Sequence, residues 1–146
     1  MEGCWTTKKR VLFICTHNSA RSQIAEGFLK KLYGDHYEAY SAGTRPSGLN
    51  PYAVKVMAEV GVDISKRSKS AEEFQGMSFD YVVTLCDDAK EMCPFFPGGN
   101  TRIHKGFKDP SKFEGIDEEI LANFRIVRDQ IREWIEEEFK PREPIN

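Results

Sequence analysis

The chain has 146 residues, 40% of them apolar, enough for one domain with a substantial core. Its 21 basic and 23 acidic side chains nearly cancel and are interspersed, which argues against a nucleic-acid-binding face or a polybasic membrane anchor. No segment approaches the ~18 consecutive apolar residues of a membrane span, and Met1 to Arg10 lacks the apolar core of a signal peptide, so a cytoplasmic protein is expected.

One domain over residues 1–146 is expected, with 1–8 as a flexible leader carrying a spare thiol, Cys4, and 141–146 as a flexible tail. Val11-Leu12-Phe13-Ile14 reads as a buried strand of a parallel sheet, and it stops at Cys15. Thr16, His17, Asn18, Ser19 and Ala20 follow, then Arg21 and Ser22. Beyond them Ile24, Ala25, Phe28, Leu29 and Leu32 recur at the spacing of one helical face. Strand, loop and helix in this order aim successive backbone N–H groups and a helix N-terminus at one spot past the strand, which makes an anion cradle.

Cys15 starts that cradle and Arg21 ends it. The helix dipole and the guanidinium both favour a thiolate, and a thiolate is a nucleophile. The planar fork of arginine matches two oxygens of a tetrahedral oxyanion. The plain alternative is a cysteine that merely ends a strand beside a surface arginine; the preceding strand, Ser22 and the helix behind weigh against it. The Gly-Lys-Ser/Thr of a nucleotide-binding loop is missing, so nucleotide phosphates are not the expected cargo.

Gly34 is placed to cap the first helix, and Tyr37 to Ser41 reads as a second strand. Asn50-Pro51 is a helix start, and Ala53, Val54, Met57 and Val60 continue it until Gly61. A short helical turn fits Ala71 to Phe74. Tyr81 to Leu85 is a third strand that again ends at a cysteine, Cys86, and Thr101 to His104 is a weaker fourth. A final helix runs from Asp117 to about Phe139, with Ile120, Phe124, Val127, Ile131, Trp134 and Ile135 along one side. Alternating strands and helices predict an α/β three-layer sandwich around a four-stranded, mainly parallel sheet with right-handed crossovers. Ligands bind past the carboxyl ends of such strands, so Cys15 and Cys86 are expected close together.

Cys86 and Cys93 lie seven residues apart. On a regular helix their sulfurs would be ~10 Å apart along the axis, too far for a disulfide unless the segment unwinds. Pro94 disfavours helical geometry at Cys93. Two unrelated buried cysteines and a redox pair able to reach a third thiol both fit this spacing. Zinc is the weakest reading, because no Cys-x-x-Cys pair occurs and three cysteines with His104 do not make a familiar ligand spacing. Asp109, held extended before Pro110, is either an ordinary turn residue or a carboxylic acid near the cradle able to protonate a leaving oxygen.

These stretches together resemble the thioredoxin-coupled arsenate reductases, which share the fold of low-molecular-weight protein tyrosine phosphatases. The matching pieces are CTHNSARSQIAEGF at 15–28, SAGT at 41–44, NPYAVKVMAEVGVDIS at 50–65, VVTLCDDAKEMCPFFP at 82–97 and HKGFKDP at 104–110. The cysteine pair fits only the reductases. The resemblance implies that Thr16, His17, Asn18, Ser19, Ala20 and Arg21 hold arsenate, with phosphate or sulfate as mimics. It also implies that Cys15 attacks with Ser22 stabilising its thiolate, and that Asp109 supplies a proton. Cys86 and then Cys93 would take over the disulfide, which a thioredoxin-like protein reduces.

No cofactor and a monomer are expected. For some members the resemblance also implies potassium, which here would lie at Asn18, Glu26, Ser41 and Asp63. The chain departs from the pattern at His17, where many members carry glycine, at Ala20, where a second loop cysteine is common, and at Lys105, where an aromatic is frequent. Lys108 makes the surroundings of Asp109 more basic. Two other readings compete: a phosphatase hydrolysing aryl phosphates through a cysteinyl-phosphate, and an oxyanion- or redox-sensing module without turnover. Against the phosphatase, Ser111 and Lys112 stand where an aromatic pair usually follows Asp-Pro.

Overall fold

The computed structural model describes residues 8–16, 18, 20–43, 48–64, 70–74, 76–86 and 99–141. Its centre is strand β1 (Lys9–Cys15), buried from Val11 onward. Val11 and Phe13 enter the larger core while Leu12 and Ile14 enter a smaller one on the opposite face, which is why the strand reads as a continuous apolar run. Each of these side chains, fully buried, contributes roughly 1.5–3 kcal/mol by removal from water.

Helix α1 (Arg21–Tyr33) leaves the end of β1 and leads to β2 (Tyr37–Gly43). Gly34 caps α1 as expected, but in right-handed geometry. Strand β2 is longer than the apolar pattern indicates, because pairing with β1 continues until Gly43 lies opposite Cys15. Helix α2 (Pro51–Glu59) begins where the sequence places it: the Asn50 side chain accepts from the Tyr52 and Ala53 backbone N–H groups. It ends as Gly61 takes a φ of 79°, a left-handed conformation that suits glycine. A short 3-10 helix (Ala71–Phe74) then precedes β3 (Tyr81–Thr84), β4 (Thr101–His104) and α3 (Asp117–Glu138). At the start of α3 the Glu119 carboxylate reaches back to the Ile116 N–H.

The sheet is fully parallel, in the order β2-β1-β3-β4. All three helices contribute to the larger core on one face of it. On the other face, the described cover is Phe74 of the 3-10 helix with Phe79. Along α3 the buried positions are Leu121, Phe124, Val127, Arg128, Ile131 and Ile135, whereas Ile120 and Trp134 are only partly buried. The strand order reverses direction at β1 and β3, which opens a crevice past their carboxyl ends. Ile14 is opposite Thr84, and the Leu85 N–H donates to the Ile14 carbonyl at 2.9 Å, so Cys15 and Cys86 emerge from the same end of two paired strands.

Candidate active site

Cys15 is the last residue of β1, buried, and the free cysteine among the described residues. Six residues on, α1 starts with Arg21, and its cap is Ala20, which offers the first turn no side-chain acceptor. Asn18 sits between Cys15 and Arg21 in the left-handed region with a φ of 52° and is fully buried. His17 and Ser19 lie outside the described residues.

The Ser22 hydroxyl lies 3.0 Å from the Cys15 sulfur and accepts a hydrogen bond from Asn18 Nδ2 at 2.7 Å. Gln23, which sequence reasoning passes over, is almost fully buried and donates from Nε2 to both the Asn18 carbonyl at 3.3 Å and Asn18 Oδ1 at 3.1 Å. A glutamine in the first turn of an amphipathic helix normally faces water, so only its place inside the matched 15–28 stretch could have marked it.

Arg21 is buried, and its guanidinium reaches away from α1 to donate to the Phe107 carbonyl at 3.1 Å and pair with Asp109 Oδ2 at 3.5 Å. Asp109 Oδ1 accepts from the Ser111 N–H at 3.0 Å and from its hydroxyl at 2.6 Å. The segment that carries Asp109 is tied to the sheet by the Phe107 N–H, which donates to the Leu85 carbonyl at 3.1 Å. Cys15, Arg21 and Asp109 are thus carried to one end of the sheet by β1, α1 and the stretch after β4. Cys86, just past β3, is buried and disulfide-bonded. Cys93 and Cys4 lie outside the described residues.

The oxygens expected to hold potassium already have partners. Glu26 takes the Ser41 hydroxyl on Oε1 and the Lys30 ammonium on Oε2, the latter at 2.7 Å, and Asn18 Oδ1 takes Gln23. Asp63, the fourth member, is exposed. The described residues hold no group of three or more His, Cys, Asp or Glu side chains placed for a metal, and no helix among them is long and apolar enough to cross a membrane.

Residues 10–140 match the family model described as low molecular weight phosphotyrosine protein phosphatase. An arsenate reductase of Halalkalibacterium halodurans is 50% identical over 125 residues, which cover 85% of this chain and 90% of the relative. Among solved structures, an arsenate reductase in the phosphate binding state superposes with a TM-score of 0.71 at 35% identity, covering 88% of this chain and 95% of that one. A thioredoxin-dependent arsenate reductase of Corynebacterium glutamicum superposes with a TM-score of 0.57 at 29% identity, over 90% of this chain and 62% of the other.

Proposed function

Since the chain belongs to the low molecular weight phosphotyrosine protein phosphatase family and its relatives include arsenate reductases, we propose that it reduces arsenate to arsenite through three of its four cysteines. The observation that supports this reading is the pairing of the sulfurs: Cys86 is disulfide-bonded while Cys15, at the anion loop, is not. A hydrolytic phosphatase needs only the second of these.

Arsenate enters the loop of Thr16, His17, Asn18, Ser19, Ala20 and Arg21. The Arg21 fork turns from Asp109 onto two of its oxygens, which opens Asp109 Oδ2 to carry a proton. The Cys15 thiolate forms a sulfur–arsenic bond, and one arsenate oxygen leaves as water with the proton from Asp109. The Cys86 thiolate then attacks the Cys15 sulfur. The sulfur–arsenic bond breaks with its electron pair moving to arsenic, so arsenic(V) becomes arsenic(III) while two thiols become the Cys15–Cys86 disulfide. Cys93 attacks Cys86, the disulfide moves to Cys86–Cys93, and Cys15 returns as a thiolate. A dithiol protein of the thioredoxin class reduces that pair; the Corynebacterium neighbour, itself thioredoxin-dependent, supports this partner. The chain works as a single-domain monomer in the cytoplasm, where such a reductant is kept reduced.

Mass spectrometry of peptides after one arsenate turnover tests the relay. A peptide pair joined through Cys86 and Cys93, formed in step with arsenite, is expected. Arsenite release with all of Cys15, Cys86 and Cys93 still reduced would sink the relay, and no arsenate-dependent NADPH oxidation with active thioredoxin and thioredoxin reductase would count against the partner.

A further inference from the structure

We infer that Gln23 is a positioning residue for the attacking sulfur, acting through Asn18 and Ser22 to turn the Ser22 hydroxyl proton toward Cys15. The argument is one of donors and acceptors. A backbone carbonyl only accepts, so the 3.3 Å contact of Gln23 with the Asn18 carbonyl fixes which end of the Gln23 amide is the NH2. That same nitrogen lies 3.1 Å from the Asn18 side chain, which must present its oxygen there. The Asn18 amide nitrogen is then the end that faces Ser22, and it donates to Oγ at 2.7 Å. A hydroxyl has one proton. With Oγ already accepting from Asn18, that proton can take the 3.0 Å line to the Cys15 sulfur, which is the direction required once Cys15 is a thiolate and can only accept.

Each member is buried: Gln23 at 1% exposure, Asn18 and Ser22 at 0% and Cys15 at 2%. Water therefore does not compete to reorient the chain of bonds. Gln23 also holds Asn18 by its backbone carbonyl, and Asn18 is the residue with a φ of 52°, so one side chain stabilises both the orientation and the unusual backbone at the centre of the loop. A thiolate only accepts, and a hydroxyl already turned toward it stabilises the charge without reorganisation.

The inference rests on Cys15 being the attacking sulfur, and the test contains no arsenate, so its failure and failure of the reductase reading are separate results. In a chain with Cys4, Cys86 and Cys93 changed to Ser, the rate of Cys15 alkylation by iodoacetamide at neutral pH is measured. Gln23→Met, of similar length but without a donor, is expected to slow it about tenfold, the loss of one hydrogen bond to a charged group. In a Ser22→Ala background the same substitution is expected to change nothing further, because the link to the sulfur is already cut. The charged groups around the loop, Arg21 and Asp109, are common to every variant. An unchanged rate in folded Gln23→Met, or an equal slowing with Ser22 absent, would overturn the inference. Should Gln23→Met not fold, nuclear magnetic resonance of the unsubstituted chain decides: slow solvent exchange of the Gln23 side-chain amide supports it, and exchange at the rate of an exposed amide overturns it.

Discussion

The buried guanidinium of Arg21 pairs with Asp109 Oδ2 at 3.5 Å and donates to the Phe107 carbonyl at 3.1 Å, so the guanidinium and the carboxylate hold one another. Arg21→Lys keeps the charge and loses the fork, and kcat/KM for arsenate is expected to fall about 100-fold or more. Asp109→Asn keeps the shape and loses the proton, with a fall of about 100-fold in kcat. Steady-state kinetics in the coupled assay measures both. An Asp109→Asn chain as fast as its parent would remove the acid step from the mechanism.

Glu59 joins α2 to α3. Its carboxylate takes Arg125 Nε at 3.0 Å and the second Arg125 nitrogen at 2.7 Å, with Arg128 adding a third bond at 3.0 Å. The hydrogen bond from Arg125 is the main reason its pKa falls from 4.5 to about 2, with the charge of Arg125 and the bond and charge of Arg128 adding to it against partial desolvation. A carboxyl group whose folded pKa is depressed stabilises the fold above its unfolded value and loses that contribution on protonation. Stability is therefore expected to drop as pH falls from about 4.5 toward 2. Urea titrations across that range should show a shallower acid limb in Glu59→Gln, and identical limbs would show that the pair adds nothing.

Much of this site is legible in the sequence, because the chemistry sits at the ends of strands. The run from Val11 to Ile14 has to be central to a sheet, and the helical spacing from Ile24 onward has to follow a loop, so Cys15 and Arg21 fall into place. The Asn50 cap is equally plain, since a side-chain acceptor before proline has one obvious use. Contact across the fold is not legible in this way. Arg21 and Phe107 are 86 positions apart, and nothing local tells that a guanidinium in the first turn of α1 will turn backward to the segment after β4. Gln23 escapes a sequence reading for a related reason: its side chain is buried and bonds back to Asn18 in the loop, which the spacing of its own helix does not announce. On α3 the long amphipathic stripe drifts, so Leu121 and Arg128 enter the buried set while Trp134 stays at its margin.

Lys30 supplies a fixed positive charge to the buried Glu26 carboxylate, and Ser41 occupies its other oxygen. Potassium is therefore expected to be dispensable. Thermal unfolding midpoints in potassium and sodium chloride at equal ionic strength should coincide, and so should the coupled activities. With Lys30→Met the carboxylate loses its ammonium, and the midpoint is expected to fall. A midpoint higher in potassium than in sodium for the unsubstituted chain would mean that the ammonium yields its place to the metal.

Gly27 lies in the middle of α1, where alanine would ordinarily be better by roughly 0.5–1 kcal/mol. Here the helix runs too close to the segment that follows α2 for that gain to appear. A β-carbon at Gly27 would stand 2.9 Å from Cγ2 of Ile64, closer than real β-carbons come, and 3.0 Å from Cγ1 of Val62, tighter than ordinary contact, and both neighbours are buried. Overpacking of this kind costs roughly 1–3 kcal/mol, which exceeds the propensity gain. Gly27→Ala is therefore expected to lower the urea midpoint with an unchanged slope, a net loss of about 1 kcal/mol. Ile64→Ala removes the nearer obstacle at its own cavity cost. In that background Gly27→Ala should cost less than in the parent, and the coupling measured by the double-mutant cycle is the sign that the two side chains compete for one space. A Gly27→Ala chain more stable than its parent would show that α1 can move away from Ile64 more cheaply than the packing implies.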